Sequence, residues 1–202
     1  MLVVDHGLVR LLYGNLAQVT PEVWRSAQPA PRDIARFAAA GGRTVVNLRG
    51  GREHGSWPLQ REACERHGLA LVDFVLRSRE APDREVVRRL ETLMAGLALP
   101  VLVHCKSGAD RAGLFAAVFL LTREGATAAE ARRQLSPRFG HFRFAKTGIL
   151  DAFLEAYERD GEARGLSLRT WAETVYDPQA LAVGFKPKLL STLIADRLIR
   201  RE

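Results

Sequence analysis

The chain has 202 residues, 47% of them apolar and 26% charged, with only 9 Pro and 17 Gly. That balance excludes a disordered or collagen-like chain, and the length fits one domain with an appended segment. The 30 Lys and Arg outnumber the 23 Asp and Glu for a formal charge of +7, and all the cations but Lys106, Lys146, Lys186 and Lys188 are Arg, whose planar fork suits phosphate or carboxylate.

Along the chain, short β-rich runs alternate with helical patterns, which predicts a parallel sheet with helices on its faces. Val19 to Trp24 reads as an edge strand or hairpin, Pro31 to Ala40 as a helix and Thr44 to Leu48 as a strand. Cys64 falls on a helix ahead of a second strand, Leu69 to Leu76. Pro82 to Leu97 carries the helical stripe Val86, Val87, Leu90, Leu93, Met94 and Leu97, and Pro100 to His104 follows as a third strand. Ala112 to Leu121 is apolar on every side and predicts a buried helix; it falls short of the roughly 20 residues that span a bilayer. Ala128 to Leu135, Lys146 to Arg159, Leu168 to Val175 and Pro187 to Arg200 all read as helix, and Gly161 to Gly165 is the nearest thing to a boundary. The expected architecture is α/β: a central, mostly parallel sheet flanked by helices over residues 1–160, with a helical C-terminal extension over 161–202.

The first residues, Met1 to His6, show no basic region before an apolar run, so no secretory leader is expected. Two cysteines, Cys64 and Cys105, are too few for a disulfide framework and fit a reducing, cytoplasmic setting. His104 beside Cys105, with no further Cys or His cluster, gives no zinc spacing, and no metal or other cofactor is expected. Nucleic acid is not expected as a partner, since no zinc finger, RNA-recognition or basic-helix motif accompanies the charge.

The chemistry gathers where the strand ending at His104 runs into Cys105-Lys106-Ser107-Gly108-Ala109-Asp110-Arg111 and then directly into the buried helix. In such a strand-loop-helix turn the backbone N–H groups and the helix N-terminus converge on an anion. The same field favours a cysteine thiolate, and Arg111 is placed to grip two phosphate oxygens with its fork. Gly108 permits close backbone approach, and Gly113 permits the helix to pack tightly.

On these residues, HCKSGADRAG resembles the active-site loop of the cysteine-dependent protein tyrosine and dual-specificity phosphatase superfamily. Two upstream segments, Val23-Trp24-Arg25-Ser26-Ala27-Gln28-Pro29 and Arg43-Thr44-Val45-Val46-Asn47-Leu48-Arg49, look like the early hairpin and first parallel strand of small bacterial and fungal dual-specificity-like members. The resemblance covers residues 19 to 160 and implies a metal-free, two-step phosphomonoester hydrolysis through a phosphocysteine on Cys105. It also implies a phosphate cradle of Lys106, Ser107, Gly108, Ala109, Asp110 and Arg111, with His104 supporting the loop from behind.

Two features depart from the family pattern. The residue after the loop arginine is usually Ser or Thr, whose hydroxyl helps the thiolate leave, and here it is Ala112. Most members carry a general-acid Asp on a mobile loop about 30 residues before the cysteine. The candidates here rank as Asp110, whose CxxGxDR variant resembles phosphoinositide-type and some bacterial lipid-active members, then Glu80, then Asp83 and Asp73. Asp83 reads equally as a helix first-turn residue, and Asp73 falls inside a strand pattern.

The expected partner is therefore a phosphorylated protein, a phospholipid or phosphoinositide, or an inositol phosphate. Peripheral membrane contact through the basic C-terminal helix would suit a lipid substrate. A catalytically weak phosphate-binding module is the competing reading, motivated by Ala112 and the missing general-acid Asp on the upstream loop. A third, arsenate reduction, would need Cys64 as redox partner of Cys105.

Overall fold

The structure is a computed structural model that describes residues 14–51 and 55–187. The chain forms two compact units, one from the segments up to Leu76 and Leu97–Ala112, the other from Arg77–Gly96 and the chain from Gly113 onward.

The first unit is built on five strands: β1 (Ala17–Gln18), β2 (Val23–Ser26), β3 (Thr44–Asn47), β4 (Ala70–Asp73) and β5 (Val101–His104). Their order is β1-β2-β5-β3-β4, with β1 antiparallel to β2 and every other pair parallel. Two helices belong to this unit, α1 (Pro31–Ala39) and α2 (Trp57–Arg66). The arrangement is the expected α/β one. Helix α1 starts where Pro31 supplies a pre-set φ and Asp33 Oδ2 accepts the Ala30 N–H at 2.9 Å; it then buries Ile34 and Phe37, one turn apart.

Side chains alternate between sheet faces along each strand, so the register sorts them into rows. Trp24, Leu102, Val45 and Leu71 are direct neighbours across β2, β5, β3 and β4. All four join the apolar cluster that Ile34, Phe37, Ala38, Ala63, Cys64, Leu69 and Leu16 complete. One residue further on, Arg25, Val103, Val46 and Val72 form a row on the opposite face. The last row, Ser26, His104, Asn47 and Asp73, returns to the first face at the carboxyl edge of the sheet.

The segment expected as an edge strand or hairpin is a hairpin, but only β1 lies at the edge. Strand β2 is interior, because its second edge pairs in parallel with β5. The strand expected over Leu69 to Leu76 is regular only to Asp73, although Phe74 and Leu76 still donate to the carbonyls of Asn47 and Leu48.

The second unit contains α3 (Arg84–Gly96), which buries Val87, Leu90 and Met94, and most of α4 (Asp110–Arg123), which begins at the end of the first unit. Residues 112–119 of α4 are buried on all sides, as their uniform apolarity requires. Helices α5 (Ala128–Arg132), α6 (Ile149–Asp160), α7 (Leu168–Thr174) and α8 (Pro178–Gly184) follow, each of the first three close to its expected span. Helix α8 was not expected. Its Pro178 sits at the start, and the Asp177 carboxylate accepts the N–H groups of Gln179 and Ala180, a capping signal present in the sequence. Trp171 of α7 packs on Phe153 and Tyr157 of α6 and stacks on Tyr176. The helix expected over 187–200 lies, apart from Pro187, outside the described residues. Among the described residues, no helix is long and apolar enough to cross a membrane.

Cys64 is 1% exposed among Ile34, Phe37 and Leu102, and burial pushes its thiol up to about 12. Such a thiol is almost wholly protonated near neutrality and is a poor redox partner. At pH 8 in the native protein, an aromatic disulfide reagent should leave Cys64 unmodified until guanidinium unfolds the chain. Rapid native labelling of Cys64, mapped by peptide mass, would show that this packing is wrong.

Candidate active site

Strand β5 delivers His104 and Cys105 to the carboxyl edge of the sheet, and both are buried. The loop then closes within five residues onto α4, whose first two residues are Asp110 and Arg111. Cys105 is 1% exposed, Lys106, Ser107 and Arg111 are half-buried, and Asp110 is 4% exposed. The Gly108 N–H donates to Cys105 Sγ at 3.3 Å.

What shapes the loop lies behind it. The Cys105 carbonyl is 3.3 Å from His104 Nδ1, and the Lys106 carbonyl accepts the Gln28 N–H at 3.2 Å. Asn15 Nδ2 donates to the Ser107 carbonyl at 2.9 Å, and Arg25 Nη2 to the carbonyls of Gly108 and Ala109 at 2.7 and 3.0 Å. Five consecutive carbonyls, from Cys105 to Ala109, are thus held by groups behind the loop. With its acceptors turned away, the loop is left to direct N–H groups toward an anion.

The fold gives Gly108 a further reason to be glycine. Its φ is +73°, and a Cβ there would lie 2.6 Å from both the Ala27 nitrogen and the Ser26 carbonyl carbon. The loop presses directly on the end of β2, and only glycine fits both the left-handed backbone and that contact.

The four candidate acids sit in different places. Asp73, at the end of β4, accepts from Asn47 Nδ2 at 2.8 Å and from Trp57 Nε1 at 3.2 Å. Asp83 Oδ1 accepts the Val86 N–H at 2.7 Å and so caps the start of α3. Glu80 pairs with Arg77 at 3.1 Å, both side chains largely in solvent. Asp110 opens α4 directly behind the loop.

The signature loop, the strand that feeds it and the sheet order all point one way, and a family model decides the matter. The model, described as DSP-PTPase phosphatase fused to NAD+ kinase, matches residues 15–148. The chain belongs to this family of cysteine-dependent DSP-PTPases.

Among curated relatives, the dual specificity protein phosphatase TpbA of Pseudomonas aeruginosa strain UCBPP-PA14 is 30% identical over 118 residues, covering 55% of this chain and 48% of TpbA. The chain thus spans about half the length of the curated relatives it matches. The crystal structure of P. aeruginosa TpbA superposes with a TM-score of 0.57 at 23% identity, covering 84% of this chain and 89% of that one. A Cys-to-Ser variant of TpbA in complex with phosphotyrosine gives a TM-score of 0.58 at 25% identity, over 79% and 91% of the two chains. PTPMT1, at 17% identity and a TM-score of 0.52 over 74% of this chain and 98% of its own, shares the fold.

Sequence reasoning named the DSP-PTPase loop and His104 behind it, but not the supports that Arg25, Asn15 and Gln28 provide. Arg25 and Asn15 lie 83 and 92 residues from their loop partners. The one available signal for Arg25 was a cation inside a strand whose neighbours, Val23 and Ser26, are buried. Arg25 is itself 0% exposed. Replacing Arg25 by Met should leave both loop carbonyls unpaired and cost about 2–4 kcal/mol of stability, read as a lowered urea midpoint. Gly108→Ala should be at least as damaging. A Met variant at Arg25 with an unchanged midpoint would remove Arg25 from this role.

Proposed function

We propose that this DSP-PTPase hydrolyses phosphomonoesters through a phosphocysteine on Cys105, with phosphotyrosine-type esters as its substrates. The observation that carries the reading is the cradle in which the Cys105 to Ala109 carbonyls face backward while the Gly108 N–H faces Cys105 Sγ. The phosphotyrosine bound to the TpbA variant supports the substrate class. Lipid and inositol phosphates share the same phosphoryl group and are the second substrate class, with half-buried Lys106 as the added cation.

In this mechanism the Cys105 thiolate attacks phosphorus while the P–O bond to the leaving group breaks. The fork of Arg111 and the loop N–H groups hold the remaining phosphoryl oxygens, whose charge spreads in the transition state. Asp110 gives its proton to the departing oxygen and becomes a carboxylate. Water then attacks the phosphocysteine, Asp110 takes back a proton, the S–P bond breaks, and orthophosphate leaves with the thiolate restored. His104 acts by holding the Cys105 carbonyl and touches no substrate. Ala112, buried, offers no hydroxyl to assist the departing thiolate, so the second step is the slower one. Residues 1–160 carry this chemistry, and the C-terminal extension over 161–202 bears on substrate choice.

Purified protein should turn over an aryl phosphate such as p-nitrophenyl phosphate, and Cys105→Ser should abolish it. Phosphate binding without turnover in the parent chain would instead establish the weak binding module. Asp110→Asn should slow an alkyl phosphate by about 100-fold more than the activated aryl ester, because a good leaving group needs little protonation. Equal losses on both esters would assign Asp110 to loop structure.

A further inference from the structure

Four buried side chains connect the turn after β3 to the nucleophile. Arg49 Nη1 lies 3.0 Å from Gln28 Oε1, and Gln28 Nε2 lies 3.1 Å from Gln60 Oε1. Gln60 Nε2 lies 2.5 Å from His104 Nε2, and His104 Nδ1 lies 3.3 Å from the Cys105 carbonyl oxygen. Exposure falls along the chain of bonds from 7% at Arg49 through 5% and 2% to 0% at His104, so water does not compete for the inner links.

The direction of these bonds follows from the chemistry of the first group. A guanidinium has donors and no acceptor, so Gln28 must turn its carbonyl oxygen to Arg49. That leaves the Gln28 amide N–H to donate, and Gln60 must receive it with oxygen. The Gln60 amide N–H is then the group that faces His104 Nε2. A ring nitrogen that accepts carries no proton, so the neutral imidazole bears its proton on Nδ1 and donates it to the Cys105 carbonyl. Without the donor-only end, both amides can flip together, and the opposite direction is then opposed only by the Cys105 carbonyl, which would lose its Nδ1–H donor. Ser56, whose Oγ is 3.4 Å from Arg49 Nη1, also accepts from the same guanidinium and does not alter its polarity.

We propose that Arg49 is a positioning residue for the nucleophile: acting through Gln28 and Gln60, it locks His104 in the Nδ1–H tautomer. This keeps the Cys105 carbonyl engaged behind the loop. It also aligns the bond dipoles with their positive ends toward Cys105, and such aligned bonds polarise one another in a low-dielectric interior. The identity of Cys105 as nucleophile rests on the function proposed above, whereas the direction of the chain does not.

The test is long-range ¹H–¹⁵N correlation of ring-labelled histidines at neutral pH, with His104 identified by its loss in His104→Gln. The parent protein should show His104 as the Nδ1–H tautomer, and an Nε2–H ring there overturns the proposal without any variant. Arg49→Gln, which can accept as well as donate, should release the lock and give a mixture. Arg49→Lys, again donor-only, should restore the parent tautomer. Gln60→Glu can only accept, so it should move the His104 proton to Nε2 and serves if Arg49→Gln fails to fold. Retention of the parent signature in both Arg49→Gln and Gln60→Glu would refute the role of Arg49.

Alkylation of Cys105 by iodoacetamide should slow by about tenfold in Arg49→Gln and recover in Arg49→Lys, and equal rates in all three proteins would count against the proposal. Neither measurement needs turnover. A parent chain that fails to hydrolyse aryl phosphate would therefore defeat the phosphatase reading and leave the tautomer result to decide this one.

Discussion

A guanidinium buried beneath a loop governs the geometry around Cys105. A short loop that must present N–H groups on one side has to place its carbonyls on the other, where water is scarce and each unpaired acceptor costs about 1–3 kcal/mol. Arg25 meets that demand for two carbonyls at once, and His104, the Gln28 backbone and Asn15 meet it for the other three. Burying a guanidinium carries a penalty of several kcal/mol, which its charge-assisted bonds to the loop offset. Arg25 thereby fixes one loop shape, and its removal would leave two buried carbonyls unsatisfied.

The sheet explains how such a charge comes to be buried there. In β2 the apolar cluster claims Trp24, so the next residue must point to the opposite face, where it reaches the loop. The residue after that, Ser26, lies in the row of His104, Asn47 and Asp73, which faces α2 again. Two members of that row bond to α2 through Gln60 and Trp57. Three successive residues of a strand thus serve core, loop and edge, and their order cannot be shifted by one without exchanging all three tasks.

How much of this could be read beforehand depended on sequence distance. The strand-loop-helix junction from His104 to Arg111 is contiguous, so its apolar strand, glycine and following apolar helix were plain. The position of β2 was not, because VWRS has neither a long apolar run nor a strict alternation, and its place between β1 and β5 is decided by partners nearly 80 residues away. Gly108 was recognised, yet its contact with the backbone of Ser26 and Ala27 is one that no local pattern reveals. Likewise Asp73 stood at a fitting separation from Cys105, but only the fold shows its carboxylate engaged by Asn47 and Trp57.

The surplus of arginine takes on a different meaning at this edge of the sheet. An excess of cations suggests attraction of anions through a long-range field, an effect that salt weakens. Arg25 and Arg49 are 0% and 7% exposed, so their contribution is local and directional instead. Both hold acceptors, and neither can reverse its role as a hydroxyl or an amide can. Lysine is also donor-only, but its compact ammonium is more strongly hydrated and so costlier to bury than the guanidinium from which one Arg25 nitrogen reaches two successive carbonyls. A loop that must stay in one orientation while an anion arrives and departs needs supports whose polarity cannot flip. Arginine is the side chain that supplies this from the interior.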